Sequence, residues 1–334
     1  MAHEISQVMI DGRQVSEAMF ANKPAWHKLG ATFDQGGNRA PDSATAMALA
    51  HLDWSVEKEE IQLKRDGRDV PGFYSLVRQD TRDPLSVVGP EYQVLQNRDA
   101  FAFLDGLLPD GILTYESAFA LKGGRGVVLL ARMPTVDYVT PEDPQLRHVL
   151  LSTWFGGGAI RAKPCNTRVV CWNTLQAAFG EHTCEFRIPH SGDVASKMAT
   201  ARQGLAQFDK QFSGYIDGAR RLLVGCTPQQ AREYLAELFA APADDAPIKT
   251  RNNFERKMAE VSRARASEAN NLATIRGTWW ALVNSVTEYV DHGKAARQSR
   301  DERARAENRF LSVTHGDGAT LKARAFDLAL TMSA

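Results

Sequence analysis

The chain has 334 residues, 43% apolar and 24% charged, and its 40 basic and 40 acidic side chains leave it formally neutral. That composition is globular rather than disordered and supports a sizeable core, and its neutrality argues against a protein that coats nucleic acid by net charge alone. No apolar run approaches the roughly 18 residues of a membrane span, the opening MAHEISQVMIDGRQ lacks a secretory apolar stretch, and four cysteines make no disulfide framework, so a soluble cytoplasmic protein is expected.

Residues 1–53 read as an N-terminal segment, irregular to about Pro41, with PAWHKLG at 24–30 set between turn formers. Ser43 suits the cap of a short helix running to Leu52, because its hydroxyl can accept an early backbone N–H. Strands follow from Trp54. EIQLKRDGRDVPGFYSLVR (60–78) is a hairpin turning at Asp66-Gly67, SVVGPEYQVLQ (86–96) supplies another strand, and NRDAFAFLDGLL (97–108) has helical spacing. Residues 115–134 and 149–179 are each strand, Gly-rich turn, strand, and the second adds a helix from near Asn173. Long helical periodicity covers 192–223, and Thr227-Pro228 is a helix start with Thr as cap and Pro in the first turn. AAPADDAP (240–247) reads as a linker, and 252–289 with 297–329 give two or three more helices. The expected fold is α+β: an antiparallel sheet built from hairpins with helices on one side over residues 54–190, then a mostly helical region over 191–334.

Charge is unevenly placed. Residues 1–121 hold 11 Lys/Arg against 18 Asp/Glu, 122–168 hold 7 against 3, and 249–324 hold 15 against 9. A local basic face steers a polyanion even on a neutral protein, although the last stretch also fits solvated helix surface. LKGGRG (121–126) places glycine N–H groups where an anion can approach. It lacks the Gly-Lys-Ser/Thr ending of a nucleotide loop and reads as a tight hairpin tip presenting Lys122 and Arg125. Cys165, Cys171, His182, Cys184 and His190 miss the two-to-four-residue pairing of structural zinc ligands, so no metal is expected. No nucleophile elbow, cysteine signature or His pair surrounds these residues, His27 or His148; no catalytic residue and no cofactor is expected.

The richest stretch holds Trp154, Phe155, Arg161, Lys163, Arg168 and Trp172 on a hairpin with three glycines at its turn. Cations that follow phosphates and rings that support unpaired bases are how single-stranded nucleic acid is commonly held. Strand alternation puts Arg161 and Lys163 on one face. Tryptophans in the core with solvated cations fit the same residues.

Seven blocks carry a resemblance: PAWHKLG (24–30), GPEYQVLQNRDAFAFLDGLL (89–108), YESAFALKGGRGVVLLARMP (115–134), RVVCWNTL (168–175), HSGDVASKMATARQGL (190–205), VTEYVDH (286–292) and GDGATLKARAFDLAL (316–330). On them the chain resembles the phage/plasmid-like protein family, a domain family of unknown function found in bacteriophages, plasmids and actinobacterial genomes. It departs from that family's polar His-Asp-Gly turn with TWFGGGA, and carries Trp172 where the family has Gln. The family is in turn similar to phage single-strand annealing proteins of the Red-beta, Erf and RecT type. These use a curved antiparallel sheet backed by helices, form rings or filaments, and lay single-stranded DNA in a basic groove without nucleotide.

The resemblance implies single-stranded DNA binding and strand annealing in phage or mobile-element recombination, by a homo-oligomer. Arg161, Lys163 and Arg168 would neutralise phosphates with Lys122 and Arg125 beside them. Trp154, Phe155 or Trp172 would support bases, with Tyr92 and Asn97 in secondary places. The rival expectations are a protein-binding factor for host takeover or anti-defence, and a nucleic-acid-processing enzyme using His27 or the Cys/His cluster.

Overall fold

The computed structural model describes residues 7–10, 12–20, 42–105, 113–157, 159–168, 173–175, 186–190, 196, 206–294 and 302–334. Strands β1 (Gln7–Ile10) and β2 (Arg13–Ser16) form a ribbon, and β3 (Ala18–Phe20) joins the main sheet. Helix α1 (Ser43–Leu49) is capped by Asp42, whose carboxylate accepts the Thr45 N–H at 2.7 Å. Ser43, the expected cap, instead donates its hydroxyl to Asp105 at 2.5 Å. Strands β4 (Val56–Gln62), β5 (Asp69–Arg78) and β6 (Pro84–Val88) make a three-stranded antiparallel sheet. Its first turn depends on Gly67, with φ of 69°. Helix α2 (Asn97–Asp105) ends at the carboxylate that also receives the Tyr115 hydroxyl.

The main sheet is a meander of β7 (Thr114–Leu121), β8 (Gly126–Tyr138), β9 (Pro144–Trp154) and β10 (Ala159–Arg168), with β3 along the free side of β7. The outer side of β10 is shared: β11 (Asn173–Leu175) pairs with residues 166–168, and β12 (Phe186–Pro189) pairs with residues 159–162. The helix expected from Asn173 is therefore, at its start, a strand. Asn and Thr are weak helix formers, and the side of β10 offers their backbone groups partners.

Both faces of this sheet are buried. Val128, Leu130, Leu150 and Cys165 belong to a core shared with the C-terminal helices. Val127, Leu129, Val149, Leu151 and Ala162 face the opposite way, into a core shared with α1, α2 and the three-stranded sheet. Helices on one side alone were expected; two-sided burial explains why β8 and β9 read as continuous apolar runs rather than alternating ones. Each fully buried Val or Leu contributes roughly 1.5–3 kcal/mol.

Helix α3 (Ala206–Arg221) serves both cores, with Phe208 and Phe212 in one and Tyr215, Ile216 and Ala219 in the other. Helix α4 (Pro228–Leu238) starts at the expected Thr227 with a full capping box to Gln230. Among the described residues, the stretches 252–289 and 297–329 overlap four helices rather than two or three: α5 (Ile248–Arg265), α6 (Trp279–Glu288), α7 (Glu302–His315) and α8 (Asp317–Met332). Helix α6 is buried nearly all round and correspondingly central, its Asn284, Ser285 and Thr287 side chains donating to carbonyls one turn back. A π-helical turn, Tyr289–Gly293, follows it. Among the described residues no helix is long and apolar enough to cross a membrane.

Candidate nucleic-acid interface

The sheet register builds a basic edge. Val128, Ser152, Arg161 and Arg187 lie in one row across β8, β9, β10 and β12. Lys163 stands two residues further along β10, opposite Leu150. Since Cys165 enters the helix-side core, alternation sends Lys163 and Arg161 to that side as well. Trp154 packs there too. Its ring lies so close over Gly126 that a Cβ there would meet it at 2.7 Å, so this residue must be glycine for the ring to settle. At the same end of the sheet the β7–β8 tip exposes Lys122 and Arg125, and the Arg125 carbonyl accepts the Phe155 N–H at 2.8 Å. Arg187 is exposed, while Arg161, Lys163 and Trp154 are half-buried.

Like charges directly opposed on a sheet are destabilising, so the Arg161–Arg187 pair is a concentration of charge that the fold must bear. His315, the last residue of α7, registers it. The ring lies 3.3 Å from the Ser152 hydroxyl. Burial, and then Lys163, Arg161 and Arg187, push its pKa from 6.5 down to about 3. Lys163 also donates to the Thr314 carbonyl at 3.5 Å, at the negative end of that helix.

A neutral His315 in the folded state fixes the sign of a pH effect. Its contribution is complete above about pH 6.5, where the unfolded chain also leaves it neutral, and is lost as pH falls toward about 3. Between pH 7 and 5 the His315→Gln variant is expected to lose less of its urea midpoint than the wild type. Parallel profiles would remove His315 as the cause.

Two of the expected contact residues are buried. Arg168 is 2% exposed: its guanidinium donates to Asp143 at 2.6 Å, to Asn270 at 2.9 Å and to the Ala269 carbonyl at 2.7 Å. Phe155 is 1% exposed and packs beside Trp54. Neither presents a surface to a strand, because one completes a buried polar cluster and the other fills the core. Trp172 lies outside the described residues, as do PAWHKLG, His27, Cys171, His182 and Cys184. Tyr92 accepts the Gly156 N–H at 3.2 Å and stacks on His190, and the Asn97 amide donates to Leu52 at 2.9 Å; both are structural contacts.

The Cys/His cluster does not converge where it is described. Cys165 faces the helix-side core, whereas His190 sits by Thr153 and Tyr92 on the other face. Cys165 is opposite His148, and His148 Nε2 lies 3.0 Å from Glu116, an order of residues that invites a nucleophile reading. Burial pushes the Cys165 thiol up to about 12, against the pull of Lys322 and Lys163, and buried thiols of this kind are inert.

Sequence reasoning missed Arg187. FRIP alternates as a strand does, but only the register to β10 shows that its arginine opposes Arg161.

The family described as Domain of unknown function (DUF932) matches residues 84–311. No curated protein and no solved structure matches the chain.

Proposed function

We propose that this chain, which belongs to the DUF932 family, binds single-stranded DNA at the basic end of its large sheet and promotes strand annealing. It acts as a homo-oligomer, a ring or filament, in phage or mobile-element recombination in the bacterial cytoplasm, without cofactor or nucleotide. The observation that carries this reading is the Arg161–Arg187 cross-strand pair, with Lys163 beside it and Lys122, Arg125 and Trp154 at the same end. Cations there neutralise phosphates and release condensed counterions. The half-buried Trp154 ring offers a face for an unpaired base. Phe155 fills the core beside that end, while Arg168 anchors the opposite end of β10.

The test is fluorescence anisotropy with a labelled single-stranded oligonucleotide at 50 to 200 mM salt. Arg161→Ala/Arg187→Ala removes two cations from the phosphates and should flatten the slope of log affinity against log salt by about 1.4. An unchanged slope and affinity would show that this is the wrong face. A wild type that fails to bind at the lowest salt would sink the annealing reading. It would favour the protein-binding role in host takeover or anti-defence, to which the chain's zero net charge is suited.

A further inference from the structure

Helix α5 begins without the usual supports of a helix start. Its cap position is Pro247, which supplies no side-chain hydrogen bond, and its first turn contains no acid. Lys249 and Arg251 lie at the positive end of its dipole. Thr250, Asn252 and Asn253 are weak helix formers. Every residue from 248 to 253 is exposed, so the first turn and a half of the helix packs against nothing described. Packing starts at half-buried Phe254 and continues through Met258, Val261 and Ala264.

The opposite face carries Asn252, Arg256, Ala259 and Arg263 at helical spacing, flanked by Lys249 and Arg251. Glu255 is the carboxylate on that face, and Glu260 is engaged by Arg263 at 2.8 Å. Among the described residues Lys249, Arg251 and Arg256 make no ion pair; Arg256 donates only to the Asn253 amide oxygen, at 3.2 Å. Solvated cations on a helix are ordinary. Cations gathered on a helix start that has no side-chain cap, no packing and no acid in its first turn are less so. Among the described residues Glu255 within the helix and Asp244 and Asp245 ahead of it make no ion pair with them, and a polyanion supplies the missing partner.

We infer that the outward face of α5 is a second nucleic-acid contact, one that takes double-stranded DNA in its major groove. A helix with its side chains is about 10–12 Å across, and the B-DNA major groove is about 12 Å wide. The arginines and amides on this face are residue types that reach phosphates and base edges. No aromatic ring lies on it, so it has nothing on which to stack the bases of a single strand, unlike the Trp154 end of the sheet. The assignment rests on reading the protein as a nucleic-acid binder; it adds a hold on the paired product to the hold on the unpaired strand.

The experiment compares the intact chain with Lys249→Ala/Arg251→Ala/Arg256→Ala on a 20-base-pair duplex and on the matching single strand. Taking three cations away from the phosphates should flatten the duplex salt slope by about 2.7, so that between 50 and 200 mM salt the wild type loses about 40-fold more affinity than the variant. Single-strand affinity should stay within about twofold. An unchanged duplex slope overturns the inference. Equal losses on both ligands overturn the duplex assignment in favour of a general polyanion face. Wild type that ignores duplex at 50 mM salt also overturns it and points to an acidic protein partner. Because Arg161 and Arg187 are untouched, failure of the sheet variant to lose single-strand binding leaves this outcome readable by itself.

Discussion

Replacing Arg168 with leucine is expected to lower the free energy of unfolding by about 3–5 kcal/mol, the usual cost of leaving one partner of a buried ion pair alone. Asp143 is fully buried, and its second oxygen already accepts the Trp280 indole N–H at 2.6 Å. Removing the guanidinium also strips hydrogen bonds from Asn270 and the Ala269 carbonyl. The cluster reaches further, because the Asn270 amide donates to Glu288 at 2.8 Å. Arg168 thus clasps the end of β10 to the C-terminal helices. Urea denaturation at pH 7 checks the figure, and Asp143→Asn in the leucine background should recover part of the loss. A change below about 1 kcal/mol would mean the pair is not the buried anchor described. At temperatures where the variant stays folded, its affinity for single-stranded DNA should match the wild type, which separates anchoring from phosphate contact.

Lys322→Met is expected to cost a similar amount, about 3–5 kcal/mol. Lys322 and Asp291 are both buried, 2.7 Å apart. Asp291 stands in the π-helical turn after α6, and its carbonyl accepts from Arg309 of α7 at 3.0 Å. The pair therefore joins the VTEYVDH block to the closing GDGATLKARAFDLAL block. Methionine keeps the bulk but leaves the carboxylate without its cation. A double-mutant cycle with Asp291→Asn should return a coupling of about 2 kcal/mol or more, within the range for residues that share one polar network. Additive losses would show that each side chain acts through other neighbours.

These two anchors mark the boundary of what could be read in the sequence. The hairpins were legible because Gly-rich turns and apolar runs are local, and the Thr227–Gln230 capping box spans four residues. Arg168 was legible as a cation within a family signature. Its partners lie 25 and 102 residues away, and no local pattern tells a clasp from a phosphate contact. Two-sided burial of the sheet was hidden for a similar reason: apolar runs show that a strand is covered, not what covers it. Lys122, Arg125, Arg161 and Lys163 were read from composition and alternation. Arg187 needed the register of a strand some 25 residues downstream, and the exposed start of α5 needed the packing of its neighbours.

Of the row from Val128 through Ser152 and Arg161 to Arg187, the first two residues are fully buried and only the two arginines reach the surface. They are separated by one inter-strand gap of about 4.8 Å, little more than the roughly 3.4 Å of one stacked nucleotide, and Lys163 lies beside them. With both faces of the sheet covered, a strand bound as proposed could not lie broadly across it and would meet each copy only along this short edge. A footprint of that length engages a few phosphates and gives modest affinity alone. In the proposed assembly, once one copy is seated each neighbour would meet the same strand at the raised effective concentration that tethering creates. Under the proposed function, assembly is then the source of grip, and dissociation into single protomers would release the strand without any change in the residues that touch it.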